Sequence, residues 1–490
     1  MSHEKGVIPL DLSRFPRLDN SITPIPLMTK LHITLLALAT LILSSACSGP
    51  NTSESGSEKR MPNIILIMAD DLGYETLGTY GGVSYDTPEL DRLAANGVRF
   101  DHAHAQPLCT PTRVSLMTGK YNWRNWDSFG ILPPDSKTIG HWMTDAGYKT
   151  CISGKWQLQS YNPPDFLPEY RGLGQKVEDA GFDEYFLWHD AHTEDKGSRY
   201  PDPTINDNGS YLTDTVEKYG PTLFVDYING FIERNQDEPF FVYYPMALPH
   251  GPFQPTPDSP EWPEQRHLND PRFYHDMVEY MDTLVGRIQA KVNELGLAED
   301  TMIIFYGDNG TPKEVSSKMK DGTIVPGGKG FNNLRGTHVP LIVSWPGAAA
   351  KGHVVNDLVD CNDLTRTLFD VANIPLPEGE IFDGESILPQ IQGKEGEHRD
   401  WLFIHHDPLP GNGKEGRVKR SWAFDKSYKL VKETGELFDL RIDPEETSPI
   451  NMSTASDEAK AAHAKLKKIN DSMGMNYKPW TWAEDGKDLL

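Results

Sequence analysis

Short, unbroken apolar runs recur along the chain, and each ends abruptly in polar residues: Asn63 to Ala69 (NIILIMA), Tyr148 to Ser153 (YKTCIS), Pro239 to Ala247 and Met302 to Tyr306 (MIIFY). A strand with helices packed on both faces has no position that meets water, so such runs predict strands buried on both sides. Helical patterns lie between them. Thr87-Pro88 opens one with a cap and a first-turn proline, and Asn96-Gly97 closes it; Thr138 to Ala146 makes another, stopped by Gly147. Longer patterns run through Thr213 to Arg234 and Phe273 to Leu295, and Gly220-Pro221 predicts a break or kink in the first. Strand alternating with helix implies an α/β fold: a large doubly wound mixed, mostly parallel sheet with helices on both faces.

After Asp383-Gly384 the texture changes to short strand-like pieces, Trp401 to His405, Ser421 to Phe424, Tyr428 to Val431 and Glu436 to Leu440, with Thr434-Gly435 reading as a hairpin turn. This predicts a smaller C-terminal domain with an antiparallel sheet and helix. A length of 490 residues exceeds what one core usually supports. The expected division is a large domain over residues 61–385 and a C-terminal subdomain over 386–490.

The N-terminal part reads differently. Leu31 to Leu43 (LHITLLALATLIL) is an apolar stretch of signal-peptide length, preceded by Lys30 and followed by Ser44-Ser45-Ala46-Cys47. Small residues before Cys47 fit cleavage and lipidation of that cysteine in a bacterial lipoprotein, with ordinary secretion as the alternative. Residues 1–46 are therefore expected to be a signal segment, with Met28 as the expected true start, and 47–60 a flexible tether rich in Ser and Gly. The expected location is the periplasm or outer membrane, with membrane contact only through the lipid. Of four cysteines, Cys151 and Cys361 are expected to stay free thiols.

Composition narrows the partners. Lys and Arg number 47 against 71 Asp and Glu, giving a formal net charge of −24, so the overall field repels nucleic acid and long polyanions. Anion chemistry must be local to a focused pocket.

Candidate chemistry gathers where the apolar runs end. The first empties into Asp70-Asp71 and the last into Gly307-Asp308-Asn309-Gly310, which supplies three carboxylates and an amide oxygen. An all-oxygen set suits a hard cation, Ca²⁺ more than Mg²⁺; taken singly, Asp-Asp after a strand is more often a cap or turn. Gly154-Lys155-Trp156 follows another strand, Gly327-Gly328-Lys329-Gly330 presents a second lysine, and Pro249-His250-Gly251-Pro252 follows the third run. In an open α/β sheet ligands bind beyond the carboxyl ends of strands, so one crevice can hold all of these. Cys109-Thr110-Pro111-Thr112-Arg113 places a reactive side chain at a predicted helix start, where backbone N–H groups favour anions.

This pentapeptide resembles the signature of the type I, formylglycine-dependent sulfatases of the alkaline-phosphatase-like superfamily, and the resemblance extends from about Met61 to the Phe382-Asp383-Gly384 turn. It implies that 61–385 is the catalytic domain and that Cys109 is oxidised to 3-oxoalanine (formylglycine) by a formylglycine-generating maturation enzyme. It further implies that Asp70, Asp71, Asp308 and Asn309 bind Ca²⁺ together with the modified Cys109. Arg113 would hold the formylglycine, Lys155 and Lys329 the sulfate oxygens, and His250 would lie near the bridging ester oxygen. One position departs: the family's Gly-Lys-Trp-His reads here Gly154-Lys155-Trp156-Gln157, and an amide cannot exchange a proton near neutral pH. Gln157 retains a hydrogen bond for sulfate, while acid–base work falls to His250, a lysine or Asp308.

The implied reaction is hydrolysis of a sulfate monoester, in arylsulfatase-like fashion. Water adds to the aldehyde, one hydroxyl of the resulting diol attacks sulfur, and the other later expels sulfate. A sulfated saccharide is the expected substrate. The C-terminal subdomain usually walls the cleft, making His405, His406, Arg417 and Arg420 candidates for sugar recognition; His102 and His104 read as packing or strand-edge residues. The alternatives are a phosphonate or phosphodiester hydrolase of the same superfamily, and a glycan-binding homologue that has lost turnover, the latter motivated by Gln157 alone.

Overall fold

The computed structural model describes residues 60–160, 171–188, 190, 197–394, 398–409 and 418–474. Cys47 with its preceding apolar stretch, and Arg417, lie outside the described residues. Those described belong to one compact unit, Ser57–Leu490.

Sixteen strands occur among them, and the first eight are β1 (Asn63–Ala69), β2 (Val98–His104), β3 (Lys149–Lys155), β4 (Glu184–Trp188), β5 (Ile205–Asp207), β6 (Ser210–Tyr211), β7 (Phe240–Pro245) and β8 (Thr301–Gly307). The others are β9 (Ser316–Lys318), β10 (Ile324–Pro326), β11 (His338–Ser344), β12 (His353–Asp360), β13 (Leu402–His406), β14 (Arg420–Phe424), β15 (Tyr428–Val431) and β16 (Leu437–Asp439). A ten-stranded sheet runs in the order β12-β2-β11-β8-β1-β7-β3-β4-β5-β6. Its centre, β8-β1-β7-β3-β4, is parallel throughout, while β11 runs against both its neighbours and β5 against β4. The sheet is therefore mixed and mostly parallel, as the alternation of strand and helix implies.

The apolar run of β1 shows why this sheet is buried twice over. Ile65, Ile67 and Ala69 enter one core with the helices Pro88–Ala95, Gly220–Arg234 and Tyr274–Glu294. Ile64, Leu66 and Met68 enter the opposite core with the helices Cys109–Thr118, Ile139–Asp145 and Cys361–Val371. Successive side chains of a strand point to opposite faces, so an unbroken apolar run serves both layers. Each fully buried Ile or Leu contributes roughly 1.5–3 kcal/mol relative to exposure. A charge at Ile65 or Leu66 would break one layer without disturbing the other's pattern. Cys151 belongs to the first core and Cys361 to the second, and both are free.

One expected element is corrected. The pattern Thr213 to Arg234 is not a kinked helix: the helix begins at Gly220, with Pro221 in its first turn. A proline there loses no intrahelical bond and its φ is already helical, so Gly220-Pro221 starts the element. The helix expected from Phe273 begins at Tyr274, after a short 3₁₀ turn over Pro271–Phe273.

The C-terminal part forms the antiparallel sheet β13-β14-β15-β16. The helix Asp457–Ser472 covers it, with Ala459, Ala462 and Leu466 packed on Phe403, Leu430 and Leu437. Tyr121 and Trp123, which follow the Cys109 helix, enter this same cluster and tie the small sheet to the signature segment.

Candidate active site

Register brings the acidic residues together. Strands β1 and β8 pair in parallel with Ala69 opposite Gly307, so the next residues, Asp70 and Asp308, emerge side by side at the carboxyl edge. The Asp308 amide donates to Ala69 O at 3.0 Å, and the Asp71 amide donates to Asp308 Oδ1 at 3.0 Å. Asp71 adopts a left-handed backbone with φ 69°, which turns its carboxylate toward Asn309, whose Nδ2 donates to Asp71 Oδ1 at 2.8 Å. Short polar side chains tolerate that conformation best. Gly307 is required because a Cβ there would meet Leu72 O at 2.5 Å.

The helix Cys109–Thr118 is buried along its whole length and starts at the same edge. Cys109 and Arg113 are four residues apart, one turn, and share a face. Arg113 Nη2 lies 3.0 Å from Asp308 Oδ2 and 3.7 Å from Asp70 Oδ2, and its Nη1 donates to Lys155 O at 3.2 Å. Thr112 Oγ1 donates to Asp308 O at 2.6 Å, which locks the signature helix to β8. The Cys109 sulfur and one oxygen each of Asp70 and Asp308 all fall within 4.8 Å of one another.

Two lysines reach in, one from a strand end and one from a glycine-rich turn. Lys155, the last residue of β3, places Nζ 2.5 Å from Asp70 Oδ2 and is 3% exposed. Gly154 before it has φ 133°, and a Cβ there would collide with Pro245 O at 2.1 Å. Lys329 Nζ lies 2.6 Å from Asp71 Oδ2, and its turn hangs on Thr311 O, which accepts from the amides of Gly328 at 3.0 Å and Lys329 at 2.9 Å. His250 sits beside them, with Nε2 3.6 Å from Asp71 Oδ2 and Nδ1 2.5 Å from Gly251 O. Asp70 and Asp308 are fully buried, whereas the side chains of His250 and Lys329 remain 24% and 22% exposed and mark the open side of the site.

Electrostatics follow from this packing. Burial drives the Asp308 carboxyl well above the usual carboxylate range, and the neighbouring Asp70 charge adds to it, with Arg113 opposing. Burial works against the Lys329 ammonium, but Asp71, Cys109 and Asp70 together more than offset it and keep the lysine charged. Burial pushes the His250 imidazole down to about 3, against the pull of Asp71, so the ring is neutral. In the geometry Asp70 pairs with Lys155, Asp71 with Lys329 and Asp308 with Arg113.

The donor set fits a calcium ion. Asp70 Oδ1 and Asn309 Oδ1 are buried without a hydrogen-bond partner, although buried oxygens are normally satisfied. Their neighbours are carboxylates, hard oxygen donors of the kind Ca²⁺ takes in irregular shells.

Other expected residues lie as follows. Gln157 is 8% exposed, holds φ 59°, and its Oε1 has no hydrogen-bond partner. His405 is 7% exposed with Nδ1 on Ser421 Oγ at 3.0 Å, so its ring is packed within the small sheet. Arg420 opens β14 opposite His406 and donates to Lys419 O. His102 and His104 stack with His338, and His104 Nδ1 meets Thr337 Oγ1 at 3.3 Å, as packing residues do. Sequence reasoning missed Arg199, whose Nη1 lies 3.1 Å from His250 Nδ1, and Tyr200, whose hydroxyl donates to Ala247 O and His250 O. Neither sits in a motif or at the end of an apolar run.

Residues 62–374 match the model of the sulfatase family, and residues 329–472 match that of the N-sulphoglucosamine sulphohydrolase C-terminal region. The chain belongs to the sulfatase family. This sulfatase is 32% identical over 372 residues to arylsulfatase A of Homo sapiens, covering 71% of each protein. Its fold is similar to that of Ps i-CgsB in complex with k-i-k-neocarrahexaose, with a TM-score of 0.68 at 23% identity over 87% of this chain and 96% of that one. It is similar also to a structure in complex with its substrate D-glucosamine-2-N,6-O-disulfate, with a TM-score of 0.66 at 19% identity over 84% and 98% of the two chains. Membership makes the protein a sulfuric ester hydrolase.

Proposed function

We propose that this sulfatase hydrolyses sulfate monoesters on a sulfated carbohydrate, with Cys109 converted to formylglycine and Ca²⁺ held by Asp70, Asp71, Asp308 and Asn309 together with the residue at position 109. The observation that carries this reading is the buried convergence of the Cys109 sulfur with Asp70 and Asp308 within 4.8 Å. Conversion of the thiol supplies a hydrated aldehyde as the nucleophile, and the calcium ion adds positive charge where negative charge develops on sulfate. The carbohydrate part is supported by the saccharides bound in the two similar structures.

This chain's own residues then perform the positioning. Arg113, pinned between Asp70 and Asp308, holds position 109 in register with the acidic cluster. Lys155 and Lys329 carry charge at the site and face the sulfate oxygens, Lys329 from the open side. The short contact of His250 Nδ1 with Gly251 O requires a proton on Nδ1, so Nε2 is the atom at which a proton is taken up and released. Export and lipidation at Cys47 belong to the same proposal; Cys47→Ala would move the protein out of the membrane fraction, and unchanged membrane association would refute the anchor.

The test begins with mass spectrometry of the peptide bearing position 109 after co-expression with a formylglycine-generating enzyme. Free sulfate is then measured by ion chromatography over a panel of defined sulfated oligosaccharides. The expected result is a 3-oxoalanine peptide and sulfate release from at least one saccharide, both lost in Cys109→Ala. Release from aryl sulfates alone would overturn the carbohydrate reading, and an unmodified but active Cys109 would overturn the nucleophile.

A further inference from the structure

Arg199 sits on the open side of the site in an arrangement that the hydrolysis of a plain sulfate ester does not use. Its guanidinium stacks over Trp188 at 4.1 Å from the ring centroid, and Nη1 approaches His250 Nδ1 to 3.1 Å. Trp188 ends β4 and pairs in register with Lys155. Arg199 therefore bridges the strand end beside one sulfate-facing lysine and the loop that carries His250.

Its backbone is held firmly in that place. The Tyr200 hydroxyl donates to Ala247 O at 2.6 Å and His250 O at 2.5 Å, while the Gly220 amide donates to Tyr200 O at 2.9 Å. Gly220 has no room for a side chain, since a Cβ would meet Arg199 O at 2.1 Å. The arginine segment is clamped between the His250 loop and the start of the helix Gly220–Arg234.

Arg113, Lys155 and Lys329 each lie within ion-pair distance of an active-site carboxylate, whereas among the described residues no carboxylate lies so close to Arg199. Nη1 meets His250 Nδ1 at 3.1 Å, an imidazole nitrogen and not a carboxylate. A partly exposed guanidinium, braced flat on an indole beside the crevice, is preorganised for an oxyanion.

We infer that Arg199 binds a second anionic group on the substrate, a carboxylate or a further sulfate carried by the saccharide whose sulfate ester is cleaved. This rests on the sulfated-carbohydrate reading above and narrows it to polyanionic saccharides. His250 lies between Arg199 and Asp71, so the second group sits on the far side of His250 from the acidic cluster.

Three matched substrates test it: a neutral monosulfated disaccharide, the same sugar with a second sulfate, and the same sugar linked to a uronic acid. The matured enzyme is expected to favour one or both anionic substrates in kcat/KM. In Arg199→Gln the anionic-to-neutral ratio falls about tenfold or more, the scale of a lost charge-assisted hydrogen-bond pair, and Arg199→Lys keeps part of it. The ratio cancels any loss that reaches both substrates through His250. The preference of the wild type for uronate or for disulfate tells the two sources apart. An equal ratio in wild type and Arg199→Gln overturns the assignment while leaving saccharide hydrolysis standing. Absence of sulfate release from all three sugars alongside aryl sulfate turnover overturns both readings.

Discussion

Lys155 Nζ and Asp70 Oδ2 lie 2.5 Å apart although β7 separates β3, which ends in Lys155, from β1, which Asp70 follows. The lysine reaches over the carboxyl end of β7, and both groups are almost fully buried. Removing one partner of a buried pair strands the other, at a cost of about 3–5 kcal/mol. A bound calcium ion would relieve that cost by neutralising Asp70. Lys155→Met is therefore expected to lose much more stability in chelator than in calcium, and to lose about a hundredfold in kcat/KM as a sulfate-facing charge disappears. Thermal melts of both proteins with and without calcium check this. Equal losses in the two buffers would show that no cation meets Asp70.

Chelation of the wild type should lower Tm by itself. A ligand present at a hundred times its Kd adds about 2.7 kcal/mol to folding stability. The unpartnered Asp70 Oδ1 and Asn309 Oδ1 are the atoms that gain a partner. Asp70→Asn should abolish most of the calcium-dependent rise in Tm, and Mg²⁺ should restore less than Ca²⁺ because it demands a tighter octahedral shell. A calcium response undiminished in Asp70→Asn would remove this residue from the metal site.

Gln157 holds a left-handed backbone, φ 59°, beside the Lys155 strand end, and its buried Oε1 lacks a partner. An amide contributes no titration, so Gln157→His introduces a group with an ordinary pKa near 6.5 at that place. The kcat/KM–pH profile of the variant should acquire an inflection in the range of about 6 to 7 that the parent lacks. Substrate preference should change little. Superimposable profiles would show that position 157 handles no proton.

How much of this was legible in the sequence depends on locality. Asp70 and Asp308 could be placed together because each ends an unbroken apolar run, and strand register then sets them side by side. The Cys109 helix announced itself within five residues. Arg199 could not be found this way: its contact with His250 joins positions 51 apart in sequence, and the turn that presents it follows no apolar pattern. Gly220-Pro221 was visible but ambiguous, since the same pair breaks a helix from within or opens one at its first turn; packing of Gly220 against Arg199 O decides it. His405 was chosen for its chemistry, yet strand β13 is buried at every position, which alternation along a short run does not reveal.

Asp282 offers a pH test remote from the metal site. It caps the helix Pro88–Ala95 from a neighbouring helix, accepting from the amides of Glu89 at 2.9 Å and Leu90 at 2.8 Å. Burial raises its carboxyl to about 7, with Asp91 and Glu279 adding to the shift and the Leu90 amide and Arg92 opposing it. An aspartate in the unfolded chain titrates near 3.9, so the folded state holds the proton more tightly. The stability this confers is complete below about pH 4 and is lost as pH rises through about 7. Asp282→Asn forfeits one acceptor at every pH but has no proton to lose. The wild type should therefore be the more stable at pH 5, and its advantage should shrink by roughly 1 to 3 kcal/mol by pH 8. Melting curves of the two proteins across that range measure the gap, and a constant difference would mean that Asp282 stays ionised in the folded protein.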